Sequence, residues 1–348
     1  MDKIRFAFAG FRHAHIFDIL SAVRANPELE LVAACESDPQ TRDELDRSGK
    51  VAITHYTVEQ MLADTPCDVV AIGDTYGRRG AIAIAALAAG AHVISDKPLC
   101  TSLAELTQIQ DLALGKDRAL GLQLDLRGVG TYLTARKIIA SGEIGEVQTV
   151  AFSGQHPLLW GSRPGWYFEN GAHGGTINDL FIHAADAVEW LTGRQIDQIT
   201  AARAWNSSFV EAPGFQIGAQ VMLRLDNDGG VLGDVSYLAP GKCGYSVSSY
   251  WRFTVHGAGG LLEWDCTGKA VSLATHDDAT PRQIPAEPNV PRAYLNDFLL
   301  QVRSASRIPD RAGEESLTTR QVLRASSIAL LAQQAADKGR HNVTLMKL

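Results

Sequence analysis

The chain has 348 residues, 45% hydrophobic and 20% charged, too many for one average domain and enough for a sizeable core, so two domains are expected. A formal net charge of −7 without any run of Lys and Arg argues against a nucleic-acid partner or an anionic membrane surface. No stretch reaches membrane-spanning length without charges, and residues 1–9 read as a strand rather than as a charged leader with a long apolar segment. The five cysteines, Cys35, Cys67, Cys100, Cys243 and Cys266, are odd in number and widely separated, the pattern of reduced thiols in a cytoplasmic protein.

In chain order, residues 4–9 form a short strand broken by Gly10, and 13–25 have helical character until Asn26-Pro27 stops them. Apolar runs follow at 29–35, 68–73, 92–95 and 119–124, separated by helical segments. The helix at 79–89 ends at Gly90, and the next opens with the capping-box pattern Ser102-Leu-Ala-Glu105. Strands alternating with helices imply parallel pairing through right-handed crossovers, so residues 1–122 are expected to be a Rossmann-type, doubly wound α/β domain.

The pattern then changes. Between 215 and 225 the apolar residues take every odd position, with Gln216, Gln220 and Arg224 between them, the period of a half-buried strand. Residues 226–230, Asp-Asn-Asp-Gly-Gly, supply hairpin chemistry, and Val231, Val235 and Tyr237 resume the alternation. Runs at 250–255, 260–264 and 270–274 extend a mostly antiparallel, open sheet, and the Pro-rich stretch 280–291 reads as a surface connection. Helical segments at 292–304 and 315–338 close an α+β domain of residues 123–348. A sheet face without a covering helix predicts a homodimer or homotetramer built on that sheet.

Three stretches carry chemistry. Residues 174–190 place Asp179, His183 and Asp186 in an otherwise apolar helix, where separations of four and three stack them on one face. Such a stripe is either functional or a buried, hydrogen-bonded brace. Residues 92–99 read as a strand ending at Asp96-Lys97-Pro98, which delivers Lys97 to the rim where open parallel sheets bind ligands, its backbone restrained by Pro98. The first turn, Gly10-Phe11-Arg12-His13-Ala14-His15, keeps one glycine of the dinucleotide fingerprint; Arg12 stands where a second would let phosphates approach. Glu36, ending the second strand, is placed to accept the ribose hydroxyls and to repel a 2′-phosphate, favouring NAD over NADP.

Together these residues resemble the Gfo/Idh/MocA oxidoreductases, named for glucose-fructose oxidoreductase and inositol dehydrogenase, over nearly the whole chain. Asp96-Lys97-Pro98 matches that family's Glu-Lys-Pro with a shortened acid. Gly174-Gly175, Asp179, His183, Asp186 and Trp190-Leu-Thr-Gly193 reproduce the order of its later helix, and residues 85–93 and 141–147 resemble its helix-to-strand passage and its entry into the second domain. Two departures stand out. Residues 74–79, Asp-Thr-Tyr-Gly-Arg-Arg, replace the family's Thr-Pro-Asn and His, and Phe181 replaces a glycine between the catalytic Asp and His.

The resemblance implies an NAD(P)-dependent oxidoreductase acting on a sugar, cyclic polyol or related hydroxy or keto compound. Its cofactor would meet Gly10, Phe11, Arg12, His13, Glu36, Asp74, Thr75, Asp96, Lys97 and Pro98. His183 suits the base that takes the hydroxyl proton, Asp179 orients it, Lys97 faces the oxygen where charge develops, and Asp186 serves as a structural partner. In the loop 155–173, His156, Arg163, Trp166 and Tyr167 are candidates for substrate contact. Two alternatives remain: a non-catalytic dinucleotide-sensing regulator, which intact Lys97, Asp179 and His183 oppose, and a metal hydrolase built from His183, Asp179 and Asp186 with His156 or His173, in which Lys97 has no role. The leading reading needs no metal.

Overall fold

The computed structural model describes residues 2–304 and 316–345. The described chain forms two compact units, the first containing residues up to 123 together with 164–174 and 294–323, the second 124–163, 175–293 and the residues from 324.

In the first unit the elements alternate as β1 (Ile4–Ala9), α1 (Ile16–Ala25), β2 (Leu29–Cys35), α2 (Pro39–Ser48), α3 (Val58–Asp64), β3 (Val69–Ile72), α4 (Tyr76–Ala88), β4 (His92–Ser95), α5 (Leu103–Gly115) and β5 (Leu120–Leu122). All neighbouring strands are parallel, in the order β2-β1-β3-β4-β5. Both faces of such a sheet carry helices, so its strands must be apolar throughout, and every residue of β3 and β5 is buried. Each buried Val, Ile or Leu contributes about 1.5–3 kcal/mol. Ser102 caps α5 through the Glu105 N–H at 3.2 Å while its own hydroxyl donates to Glu105 at 3.1 Å, as the sequence predicts. Helix α1 starts three residues later than its periodicity suggests, because His13-Ala14-His15 form a turn whose His13 N–H donates to the Gly73 carbonyl at 3.0 Å.

The second unit contains α6 (Gly130–Ala140), β6 (Val147–Pro157), α7 (Ile182–Thr192), β7 (Ile196–Trp205), β8 (Gly218–Leu225), β9 (Gly230–Ala239), β10 (Arg252–Gly257), β11 (Gly260–Asp265), β12 (Ala270–Thr275) and β13 (Arg282–Pro285). Then come α8 (Ala293–Arg303), α9 (Thr319–Lys338) and β14 (Val343–Thr344). Residue 315, the expected start of the last helix, lies outside the described residues. The nine-stranded sheet runs β13-β12-β11-β10-β6-β9-β8-β7-β14 and is antiparallel except where β6 meets β9. Two stretches read as connections hold strand: Gln155 to Pro157 end β6, and β13 lies within 280–291. β13 escaped the pattern because none of its residues is buried.

One face of this sheet is packed, with Phe152 stacked on Phe181 and Phe253 at ring separations of 5.8 and 5.6 Å. On the other face, register aligns Ala201, Met222, Leu232 and Ala151 across β7, β8, β9 and β6. Met222 is 48% exposed and Leu232 55%.

Candidate active site

The strand order of the first unit reverses between β1 and β3, and ligands of open parallel sheets bind at the carboxyl ends of the strands at such a point. Gly10 follows β1 and Asp74-Thr75 follow β3 there, with Glu36 after β2 and Asp96-Lys97-Pro98 after β4. Gly10 has φ +81°, and a Cβ on it would lie 2.5 Å from that of Asp74, so only glycine lets the two turns approach. Glu36 is fully buried; it accepts the Phe11 N–H at 2.7 Å and the Asp38 N–H at 2.8 Å. Burial pushes its carboxyl up against those two bonds, so the residue that would read the ribose also fixes the turn. The Phe11 ring stacks on Phe8 at 6.1 Å in the core, leaving its backbone to the turn.

Lys97 is 5% exposed, and its turn is fastened by a residue whose function the sequence does not announce. Arg79, on α4 and fully buried, donates to the carbonyls of Asp74, Asp96, Lys97 and Pro98 at 2.8, 2.8, 2.6 and 3.2 Å. It also binds the Asp96 carboxylate at 2.9 Å. Burial alone would push the Asp96 carboxyl up, but His13, Arg79 and His15 beside it hold it well below the usual range. Burial pushes His13 itself down to about 4. The Lys97 Nζ lies 6.0 Å from the centre of the Tyr76 ring.

Trp166 and Tyr167, expected at the substrate, are 4% and 3% exposed and pack with Tyr76. The Tyr167 hydroxyl lies 2.7 Å from Nε2 of His13 and 2.7 Å from the Tyr76 hydroxyl, and Trp166 Nε1 donates to the Arg12 carbonyl at 3.1 Å. This segment therefore braces the first turn.

In the second unit the polar stripe is divided by a π-helical turn, Ile177–Phe181, that precedes α7. Such turns are frequent at functional sites. Asp179, inside it, accepts a hydrogen bond from the Tyr237 hydroxyl on β9. Asp186 is held bidentately by Arg127 at 2.8 and 2.6 Å, both side chains 3% exposed, which makes it a brace. His183 is 8% exposed with its ring 5.2 Å from that of Trp251, and His156 lies 5.0 Å from Tyr250 and 5.7 Å from Trp251. Arg163 donates to the carbonyls of Leu158 and Pro157 at 2.8 and 2.9 Å, closing its own loop. The stripe is seated by Gln333 of α9, whose Oε1 accepts the Ile177 N–H at 2.9 Å; Gly175, with φ +95°, leaves room for it, since a Cβ there would lie 2.2 Å from the Gln333 amide carbon. The bulk of Phe181 goes into the core against Phe152.

Sequence profiles match residues 4–123 to the oxidoreductase family with an NAD-binding Rossmann fold and residues 132–263 to the GFO/IDH/MocA C-terminal domain. The chain belongs to the Gfo/Idh/MocA oxidoreductase family. A 1,5-anhydro-D-fructose reductase of Ensifer adhaerens is 30% identical over 137 residues, 39% of this chain and 40% of that protein. An oxidoreductase from Agrobacterium radiobacter, solved in complex with NAD+, L-tartaric acid and magnesium, has a TM-score of 0.78 at 17% identity and covers 98% of both chains. An aldose-aldose oxidoreductase from Caulobacter crescentus, complexed with glycerol, has a TM-score of 0.76 at 18% identity, covering 99% of this chain and 100% of that one. Among the curated relatives it matches, the aligned stretch spans from 32% to 54% of the relative's length.

The family model that matches residues 4–123 is that of an NAD-binding Rossmann fold, so the cofactor is NAD. The residues fit it: the switch point, the glycine that Asp74 requires and the buried Glu36 all lie where a dinucleotide would run. Among the described residues Asp179, His183 and Asp186 do not converge as metal ligands, which leaves the hydrolase reading without a site. No described helix is long and apolar enough to cross a membrane.

Proposed function

We propose that this protein is an NAD-dependent dehydrogenase acting on the CH–OH group of a sugar, cyclic polyol or related hydroxy or keto compound. Residues 1–122 would hold the cofactor, and 123–348 the substrate and the oligomer contacts. The observation that carries the reading is Lys97: four hydrogen bonds from one buried guanidinium hold the turn that presents it at the end of β4. NAD, when bound, supplies the hydride acceptor or donor. His183 then takes the hydroxyl proton, the Lys97 ammonium stabilises the oxygen as negative charge develops, and Asp179, fixed by Tyr237, holds the substrate or the imidazole in place. The names of the Ensifer and Caulobacter relatives support a carbohydrate-like substrate. Glu36 favours NAD over NADP.

The aligned row Ala201, Met222, Leu232 and Ala151 supports assembly as a homodimer or homotetramer through the second sheet. A panel of sugars, inositols and their keto forms, scored by nicotinamide absorbance, tests the activity. Turnover of one of them with NAD is expected, and NAD binding without turnover on any member of the panel would count against a dehydrogenase and for a sensor.

A further inference from the structure

We propose that His13, His15 and Asp96 form a binding site for a divalent transition-metal ion of the zinc type. Nothing in the dehydrogenase reading requires such an ion, and its test is read from metal binding alone rather than from turnover.

The three residues come from two places in the first unit. His13 and His15 lie on the turn between β1 and α1, and Asp96 follows β4. One ligand atom from each falls within 4.8 Å of the others. His15 Nδ1 lies 3.2 Å from one Asp96 carboxylate oxygen, and His13 Nδ1 lies against the other. The two imidazoles meet edge to face at 4.5 Å.

The His13 Nδ1 is buried and lies against the Asp96 carboxylate. An ion bound by Nδ1 and the carboxylate would replace that contact by coordination.

The surroundings supply what metal ligands need. His13 Nε2 is held by the Tyr167 hydroxyl at 2.7 Å, and Asp96 Oδ2 by Arg79 at 2.9 Å. Outer partners of this kind orient imidazole and carboxylate ligands. Two imidazole nitrogens and one carboxylate oxygen suit zinc, nickel or copper and disfavour magnesium and calcium, which take oxygen sets. Three protein donors leave a fourth position for water or a ligand oxygen. His15, with its side chain 48% exposed, offers the ion a route from solvent. Because Arg79 shares the charge of Asp96, the expected ion is exchangeable, with micromolar rather than permanent binding.

The test is calorimetric titration of the chelator-treated full chain with zinc chloride, and separately with magnesium chloride, followed by cobalt substitution to read visible d–d bands. The proposal expects one zinc equivalent, weak or absent magnesium binding, and cobalt bands of a nitrogen-oxygen site. His15→Ala, at a half-exposed position, should fold normally and weaken zinc at least about tenfold. Asp96→Asn should likewise weaken zinc, whereas His276→Ala should leave affinity unchanged. Absence of stoichiometric zinc binding would overturn the proposal, as would affinity unaltered by His15→Ala in a protein with normal circular dichroism, or a preference for magnesium.

Discussion

Each unit contains a buried arginine-carboxylate pair, and the two pairs are built for different ends. Arg127 and Asp186 form a bidentate pair between the turn before α6 and helix α7. Arg79 gives one bond to Asp96 and four to backbone carbonyls, three of them in the Asp96-Lys97-Pro98 turn. The first pair joins elements, whereas the second shapes a loop around a lysine. The same two residue types therefore stabilise in one place and position in the other, and the recipient of the guanidinium's remaining donors distinguishes them.

The largest expected effect tests the stabilising pair. Arg127→Met strands Asp186 in the core and should cost about 3–5 kcal/mol in denaturant unfolding, while Arg127→Met with Asp186→Leu should recover most of it. Arg79→Met with Asp96→Leu should also regain stability but not turnover, since the carbonyls around Lys97 lose their donor. Full turnover in that double variant would reduce Arg79 to a mere brace and erase the contrast.

Next come the residues proposed to do the chemistry. Lys97→Ala and His183→Ala should each lower turnover by about a hundredfold or more with NAD affinity nearly unchanged, as measured by steady-state kinetics and fluorescence titration. A folded His183→Ala protein with normal turnover would remove the base assignment. Tyr237→Phe takes away the hydrogen bond that fixes Asp179 and should cost about tenfold in turnover with little change in melting temperature. A large melting loss without a kinetic one would place Asp179 with Asp186 among the braces.

A smaller effect is read at the cofactor. NAD should bind several-fold more tightly than NADP, and Glu36→Ser should narrow that gap. The smallest concerns pH. Burial pushes His92 down to about 4, so its folded value lies below the unfolded one near 6.5. Unfolding takes up a proton between those values, so this contribution is present above pH 6.5 and fades as pH falls toward 4. Melting curves across that window should flatten in His92→Gln, and an unchanged slope would assign the acid sensitivity to other groups.

The parallel sheet was legible because burial on both faces writes each strand as a short apolar run, and Lys97 was legible because it ends one. Arg79 was not. It stood in residues 74–79, marked in sequence only as a departure from the family pattern, and only folding shows that it is enclosed by carbonyls. The spacing of Asp179 and His183 predicts one face of a single helix, but Asp179 lies in a π turn, which leaves no trace in hydrophobic periodicity. Trp166 and Tyr167 stood in a loop just before the polar stripe of residues 174–190 in sequence, yet that loop belongs to the first unit, a long-range choice that local pattern does not encode. Tyr237 carried a usable signal: an inward position in an alternating strand with a hydroxyl that needed a partner.

Gln333 lies more than 150 residues beyond the turn it seats, and Oε1 there accepts the N–H groups of both Ile177 and Asn178. Trimming the carboxyl-terminal helix as dispensable would leave Asp179 and His183 in the chain and remove the acceptor that seats their turn. The shortest fragment that keeps this turn in place is thus set by a distant amide.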